Sequence, residues 1–153
     1  MSNTYTQIHI QCVFVVKFRE AMIGKEFQER LHKYITGIVQ GEGHKMIAIN
    51  SMPDHVHLFF GMRPHQSISD LMKKVKGESS EWINKEKLTR TKFNWQEGYG
   101  AFSYAKSQVD AVVNYILKQE EHHRKKTFAE EYKEFLEKFE VEYDEKYLFK
   151  EPE

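Results

Sequence analysis

The chain has little that could cross-link it and no stretch that reads as a membrane span. A single cysteine, Cys12, stands among 153 residues, which excludes an internal disulfide framework and any cysteine-based zinc knuckle. Cys12 is expected as a small core residue. No run of about 18 apolar residues occurs, and the opening Met1-Ser2-Asn3-Thr4 lacks the charged and then apolar segments of a secretory leader. A cytoplasmic protein with no membrane partner is therefore expected. There is no G-x-x-x-x-G-K-[ST] sequence, so nothing points to a phosphate-binding loop. An RNP1-like aromatic pattern is also missing.

The formal net charge is zero but unevenly spread. Residues 1–129 hold 19 Lys+Arg against 13 Asp+Glu, a balance of +6, and the remainder carries −6. A basic body is compatible with a polyanionic partner. The acidic end reads as a helix or tail away from the working surface. With 40% apolar residues, the length suits one globular domain, expected over 1–140 with an acidic tail over 141–153.

Residues 5–18 alternate, with Ile8, Ile10, Cys12, Phe14, Val16 and Phe18 on one side and Gln7, His9, Gln11 and Lys17 on the other. This is the period of a half-buried strand. Residues 25–40 shift to helical spacing, closed by Gly41 and Gly43. Lys45 to Met52, the Pro53-Asp54 turn and the run His55-Val56-His57-Leu58-Phe59-Phe60 read as a hairpin. In that second strand Val56, Leu58 and Phe60 share the core face, and His55 and His57 share the other. At about 3.3 Å per residue the two imidazoles stand about 7 Å apart and can converge on one ion. An exposed histidine pair on a strand is the plainer alternative.

Ser67-Ile68-Ser69-Asp70 opens a second helix that reaches about Lys85, and a strand region bent at Gly98 and Gly100 lies between Phe93 and Ala105. The order βαββαβ suggests an α+β fold, an antiparallel ferredoxin-like sheet with both helices on one face. Its other face is expected to be open, so that the polar side of the first strand meets the histidines. A further helix is expected from Ser107-Gln108-Val109-Asp110 through His122, with Tyr115, Gln119 and His122 in one stripe. Thr127-Phe128-Ala129-Glu130 opens an acidic helix whose Phe128, Tyr132, Phe135 and Phe139 can pack on the body.

His55-Val56-His57 on a strand and, 58 positions after His57, Tyr115-x-x-x-Gln119 on a helix, with Glu120-Glu121-His122-His123 following, form an ordered set. Together with Trp95-Gln96-Glu97-Gly98-Tyr99-Gly100-Ala101-Phe102-Ser103, this set resembles the IS200/IS605-type transposases, the single-tyrosine members of the HUH endonuclease superfamily. The resemblance implies a ferredoxin-like, RRM-like core followed by a helix carrying a catalytic tyrosine. It also implies a homodimer in which that helix can serve the partner's site, and cleavage and rejoining of single-stranded DNA at hairpin ends. Carried over by match, Tyr115 is the nucleophile and His55, His57 and Gln119 the ligands of Mg²⁺ or Mn²⁺. Attack by the phenol would give a 5′-phosphotyrosine and retain the bond energy for rejoining.

His9 and His122 are the candidates for proton transfer or phosphate contact. Lys73, Lys74 and Lys76, and Arg124, Lys125 and Lys126, are the densest basic clusters and the candidate contacts to the DNA backbone. Two other readings compete. One is a non-catalytic single-strand binder with an RRM-like sheet, which has no use for Tyr115 and Gln119 one turn apart. The other is a phosphoesterase in which metal-bound water attacks and Tyr115 is dispensable.

Overall fold

Strand alternation and helical spacing produce nine elements in the computed structural model, which describes residues 4–122, 126–144 and 148. They are β1 (His9–Val15), α1 (Lys25–Gly41), β2 (Lys45–Met52), β3 (His55–Gly61), α2 (Ile68–Lys85), β4 (Gly100–Tyr104), α3 (Val109–Leu117), α4 (Gln119–His122) and α5 (Phe128–Lys138). Single 3-10 turns occupy Lys17–Arg19 and Lys106–Gln108. The strands form one antiparallel sheet in the order β2-β3-β1-β4. This is the expected ferredoxin-like α+β arrangement, with the histidine strand central.

One sheet face builds the main core. Ile10, Cys12 and Phe14 from β1 and Val56, Leu58 and Phe60 from β3 pack against Phe27, Leu31 and Ile35 of α1 and Leu71, Val75 and Ile83 of α2. The alternation in β3 is thus satisfied by apolar side chains on this side. Burial pushes the Cys12 thiol up to about 12, as befits an inert core group. Ser67 caps α2 by accepting from the Asp70 amide at 3.0 Å, and Thr127 caps α5 by accepting from Glu130 at 3.2 Å. Among the described residues no helix is long and apolar enough to cross a membrane.

The second face is not open, contrary to the expectation from sequence. Val112 and Ile116 of α3 cover Ala48 and Phe59. Phe128 and Leu136 of α5, with Tyr132, Phe135 and Phe139, cover Val13, Val15 and Phe102. The reason is that both sides of β1 and β3 carry apolar side chains, and leaving Val13, Val15 and Phe59 in water would forfeit about 1.5–3 kcal/mol for each. Gly100 makes room for this layer, since a Cβ there would lie 2.7 Å from the Tyr132 ring.

Three boundaries also differ from the sequence reading. β1 stops at Val15 and the chain turns at Phe18 and Arg19, whose φ angles are 60° and 55°, so Phe18 leaves the core stripe. Ser107 does not cap the next helix; the Gln108 side chain accepts from the Ala105 amide at 2.8 Å across the 3-10 turn. The single helix expected to run to His122 is divided at Lys118 (φ −104°, ψ 26°). A competing donor from β2 meets that break, because Asn50 Nδ2 donates to the Ile116 carbonyl at 2.9 Å and satisfies an acceptor left over at the end of α3.

Candidate metal centre and nucleophile

β3 sends His55 and His57 to the second face, with ring centroids 5.1 Å apart and nearly perpendicular. Both are buried, at 1% and 0% exposure. Each ring is held from behind. His55 Nδ1 lies 2.7 Å from Asp54 Oδ1, and His57 Nδ1 lies 2.8 Å from Gln11 Oε1. Gln11 in turn donates from Nε2 to the Tyr104 hydroxyl at 2.9 Å, which turns its oxygen toward the histidine. Oxygen acceptors at both Nδ1 atoms select the Nδ1–H tautomer and leave Nε2 as the lone-pair atom. The polar side of β1 thus meets the histidines as the alternation predicted.

The third member is Glu131 of α5, 3% exposed. Ligand atoms of His55, His57 and Glu131 all lie within 4.8 Å of one another. Glu131 Oε1 stands 3.2 Å from His57 Nε2, and Tyr115 Oη donates to Glu131 Oε2. Two acceptors, the imidazole lone pair and a carboxylate oxygen, repel unless a proton or a cation lies between them. Burial pushes the Glu131 carboxyl up to about 7, so a proton serves there in the ion-free protein. The donor set of two imidazole nitrogens and a carboxylate fits a divalent ion in its place. Burial holds the His55 ring below the ordinary imidazole range, with its Asp54 contact opposing the shift, which keeps it neutral and available as a ligand.

Aromatic packing fixes the remaining groups. Phe128 stacks on His55 at 4.0 Å, and Phe135 meets the Tyr115 ring edge-on at 5.8 Å. The Tyr115 and His57 rings are 6.1 Å apart within one chain. A cleft of about 330 Å³ opens beside them, lined by Gln11, Tyr104, Tyr115, Glu131, Phe135 and Lys138 among others. A phenol beside an ion-competent cluster, with a cleft at its edge, has the placement that attack on a bound ester requires.

The other residues proposed from sequence are placed as follows. Gln119 is fully buried at the start of α4, and its Nε2 donates to the Tyr115 carbonyl at 3.3 Å. His9 lies at the far end of β1, opposite Gly61 and Tyr104 and away from the cluster. Lys73, Lys74 and Lys76 sit on α2, across the sheet from the histidines. Lys74 pairs with Glu42 at 3.2 Å, and Lys76 Nζ donates to the Gln96 and Gly98 carbonyls at 2.7 Å each. Lys126 pairs with Glu134 at 2.6 Å. Arg124, Lys125 and the side chain of His122 lie outside the described residues.

Sequence reading missed Glu131 and set the acidic end apart from the site. A signal was present, because Glu131 falls three residues after Phe128 and four before Phe135. That places a carboxylate inside the apolar stripe of α5, where an acid has no reason to be unless it has a partner.

The fold and the cluster together define a ferredoxin-like protein of the His-hydrophobe-His class. The family described as "Transposase IS200 like" matches residues 4–119, and the chain belongs to that family. It is 28% identical over 119 residues to the ISDra2 transposase TnpA of Deinococcus radiodurans, covering 74% of this chain and 84% of that protein. Among solved structures, the fold is shared with a candidate transposase from Deinococcus radiodurans R1 crystallised at 1.90 Å. That pair has a TM-score of 0.64 at 21% identity, over 78% of this chain and 95% of the other. It is shared also with a REP-associated tyrosine transposase bound to a REP hairpin, with a TM-score of 0.61 at 13% identity, over 80% and 73% of the two chains.

Two measurements follow from this geometry. In EDTA, folded Glu131 keeps its proton up to about pH 7, whereas an unfolded carboxyl releases it near 4.5, so the group favours folding less as pH rises through that window. His55, lowered from 6.5, acts in the opposite direction as pH rises toward that value. Urea titrations of Glu131→Gln are expected to show a more positive dependence of stability on pH between 4.5 and 7 than the parent shows. Equal slopes would mean that Glu131 ionises alike in both states. Second, Gln11→Leu removes the acceptor behind His57, and calorimetric titration with Mn²⁺ is expected to give an affinity about 10- to 100-fold weaker; an unchanged affinity would show that Gln11 does not orient the ring.

Proposed function

We propose that this transposase cleaves and rejoins single-stranded DNA at hairpin ends, with Tyr115 as nucleophile and a 5′-phosphotyrosine as intermediate. The observation that carries the reading is the contact of the Tyr115 hydroxyl with Glu131, whose other oxygen faces His57. Relatives with transposase names, one of them bound to a REP hairpin, support the substrate class.

In this mechanism His55, His57 and Glu131 would hold a divalent ion, with the neutral amide of Gln119 as a further oxygen donor. Bound there, Mg²⁺ or Mn²⁺ would supply Lewis acidity and orientation to the scissile phosphate. Tyr115 Oη attacks phosphorus, the P–O bond to the flanking strand breaks, and the departing oxygen becomes a free 3′-hydroxyl. The phenolic proton passes to the Glu131 carboxylate that already accepts its hydrogen bond, and Glu131 hands it on to the departing 3′-oxygen, so the acid ends ionised as it began. Attack by a 3′-hydroxyl on the phosphotyrosine reverses the step and returns the proton to Tyr115, so no nucleotide is consumed. Phe135 and Phe128 keep the phenol and the His55 ring oriented and shield the cluster from water. In the homodimer that the family resemblance implies, each site is then assembled in cis.

The test is a denaturing gel of purified protein with end-labelled single-stranded hairpins from the DNA flanking its gene, in Mn²⁺, Mg²⁺ or EDTA. A metal-dependent covalent band that disappears in Tyr115→Phe is expected. Cleavage without an adduct, unchanged in that variant, would replace the reading with a phosphoesterase, and binding without cleavage would favour the single-strand binder. The cis assignment is checked separately by mixing Tyr115→Phe and His57→Ala subunits under conditions that exchange chains. The mixture is expected to stay inactive; restored activity would show that the tyrosine helix serves the partner.

A further inference from the structure

The far end of the same sheet carries a second feature with nucleic-acid chemistry. Register places Lys45 of β2, Gly61 of β3 and His9 of β1 side by side in one row. Gly61 shares the face of His57 and Phe59, and with no side chain it leaves a saddle between the ammonium and the imidazole. A groove of about 880 Å³ runs there, walled by Thr4–His9 on one side and Gly61–His65 on the other. Among the described residues no carboxylate lines it.

The two cations in the groove are available. Among the described residues the side chains of Lys45 and Arg63 take part in no ion pair or hydrogen bond, in contrast to Lys74, Lys76 and Lys126. Tyr5, 91% exposed, lines the opposite wall. The Arg63 wall is also held rigidly. The Arg63 amide donates to His44 Nδ1 at 3.0 Å, which leaves the buried His44 to donate from Nε2 to Gln66 Oε1 at 2.8 Å. Gln66 passes the chain on to Glu42 at 2.9 Å, and His44 and His65 stack at 5.1 Å. The Met62 amide of this wall donates to the Ile8 carbonyl of the other at 2.8 Å and ties the two segments together.

We propose that this groove holds a single-stranded stretch of the DNA substrate, with phosphates on Lys45 and Arg63 and a base on Tyr5. The inference rests on the DNA-cleaving reading above and adds to it the path of the strand. Paired cations, a sequence-tolerant aromatic platform and a wall ordered before binding are what such a strand requires. The groove joins the site through one step of the sheet. His9, which lines the groove, is paired with Tyr104, which lines the cleft beside Tyr115. Along β3, Gly61 lies four residues from His57, about 13 Å at the usual strand rise.

The experiment is fluorescence anisotropy in EDTA of the full chain with a labelled oligothymidylate, over a range of salt, with a labelled duplex of the same length for comparison. The Lys45→Ala/Arg63→Ala double variant is expected to bind the single strand at least about 10-fold more weakly and to lower the salt slope by about 1.4, from two phosphates at about 0.7 each. Tyr5→Ala is expected to cost about 5-fold or more. Lys33→Ala, on the exposed surface of α1 and paired with Glu29, is the control and is expected to match the parent. Unchanged affinity and slope in the double variant would overturn the groove assignment while leaving the covalent adduct, and so the cleavage reading, intact. Equal losses on single strand and duplex would overturn the single-strand assignment. A parent protein that binds oligothymidylate at no salt concentration would likewise overturn the groove assignment, whereas the cleavage reading falls only if the hairpin adduct is absent.

Discussion

The placement of one buried carboxylate governs the organisation of this protein. Glu131 reaches from α5 to touch His57 with one oxygen and Tyr115 with the other. Burying an acid is unfavourable unless its charge or its proton is shared, and here three elements distant in sequence supply the sharing. β3 provides the imidazoles, α3 the phenol and α5 the acid. The aromatic layer of Phe102, Phe128, Phe135 and Phe139 holds α5 against the sheet and so keeps the carboxylate where it is unfavourable in isolation. Packing and site chemistry are therefore coupled.

The two faces of the sheet serve different ends. Toward α1 and α2 the sheet is mainly apolar, Ser51 being bonded to Gln28 and His32 of α1, and Lys74 and Lys76 of α2 are engaged in holding neighbouring segments. Toward α3 and α5 the apolar side chains alternate with Gln11, His55 and His57, each of which has a named partner at one atom at least. The Tyr104–Gln11–His57–Glu131–Tyr115 chain is continuous across the second face. Such a chain fixes tautomer and orientation together, because turning any one amide or ring would break a hydrogen bond on each side.

Much of this was legible in the sequence because it depends on local period. The alternation in residues 55–60 placed the histidines on one face, Ser67 and Thr127 announced their helices, and Gln11 lay on the correct side of β1. What stayed hidden depends on contacts between distant segments. The division of the helix at Lys118 follows a side chain of β2, Asn50, which no reading of residues 107–122 could supply. The covering of the second face was hidden by the polar residues that alternate there. Glu131 carried a local sign in its spacing from Phe128 and Phe135, but net charge over the acidic end drew attention away from that one position. Counting charges describes a surface, and this charge is interior.

The stretch that identifies the family ends at Gln119, and the acid that completes the histidine pair lies twelve positions beyond it, on α5. Family membership and ligand inventory are consequently separable properties of the chain. Two proteins could agree with the family over their whole matched length and yet differ in the residue that faces the histidine pair, because that residue rides on a downstream helix attached by aromatic packing. In evolutionary terms α5 is a place where the charge beside the histidine pair can be altered without disturbing the strand that bears the pair or the helix that bears the tyrosine.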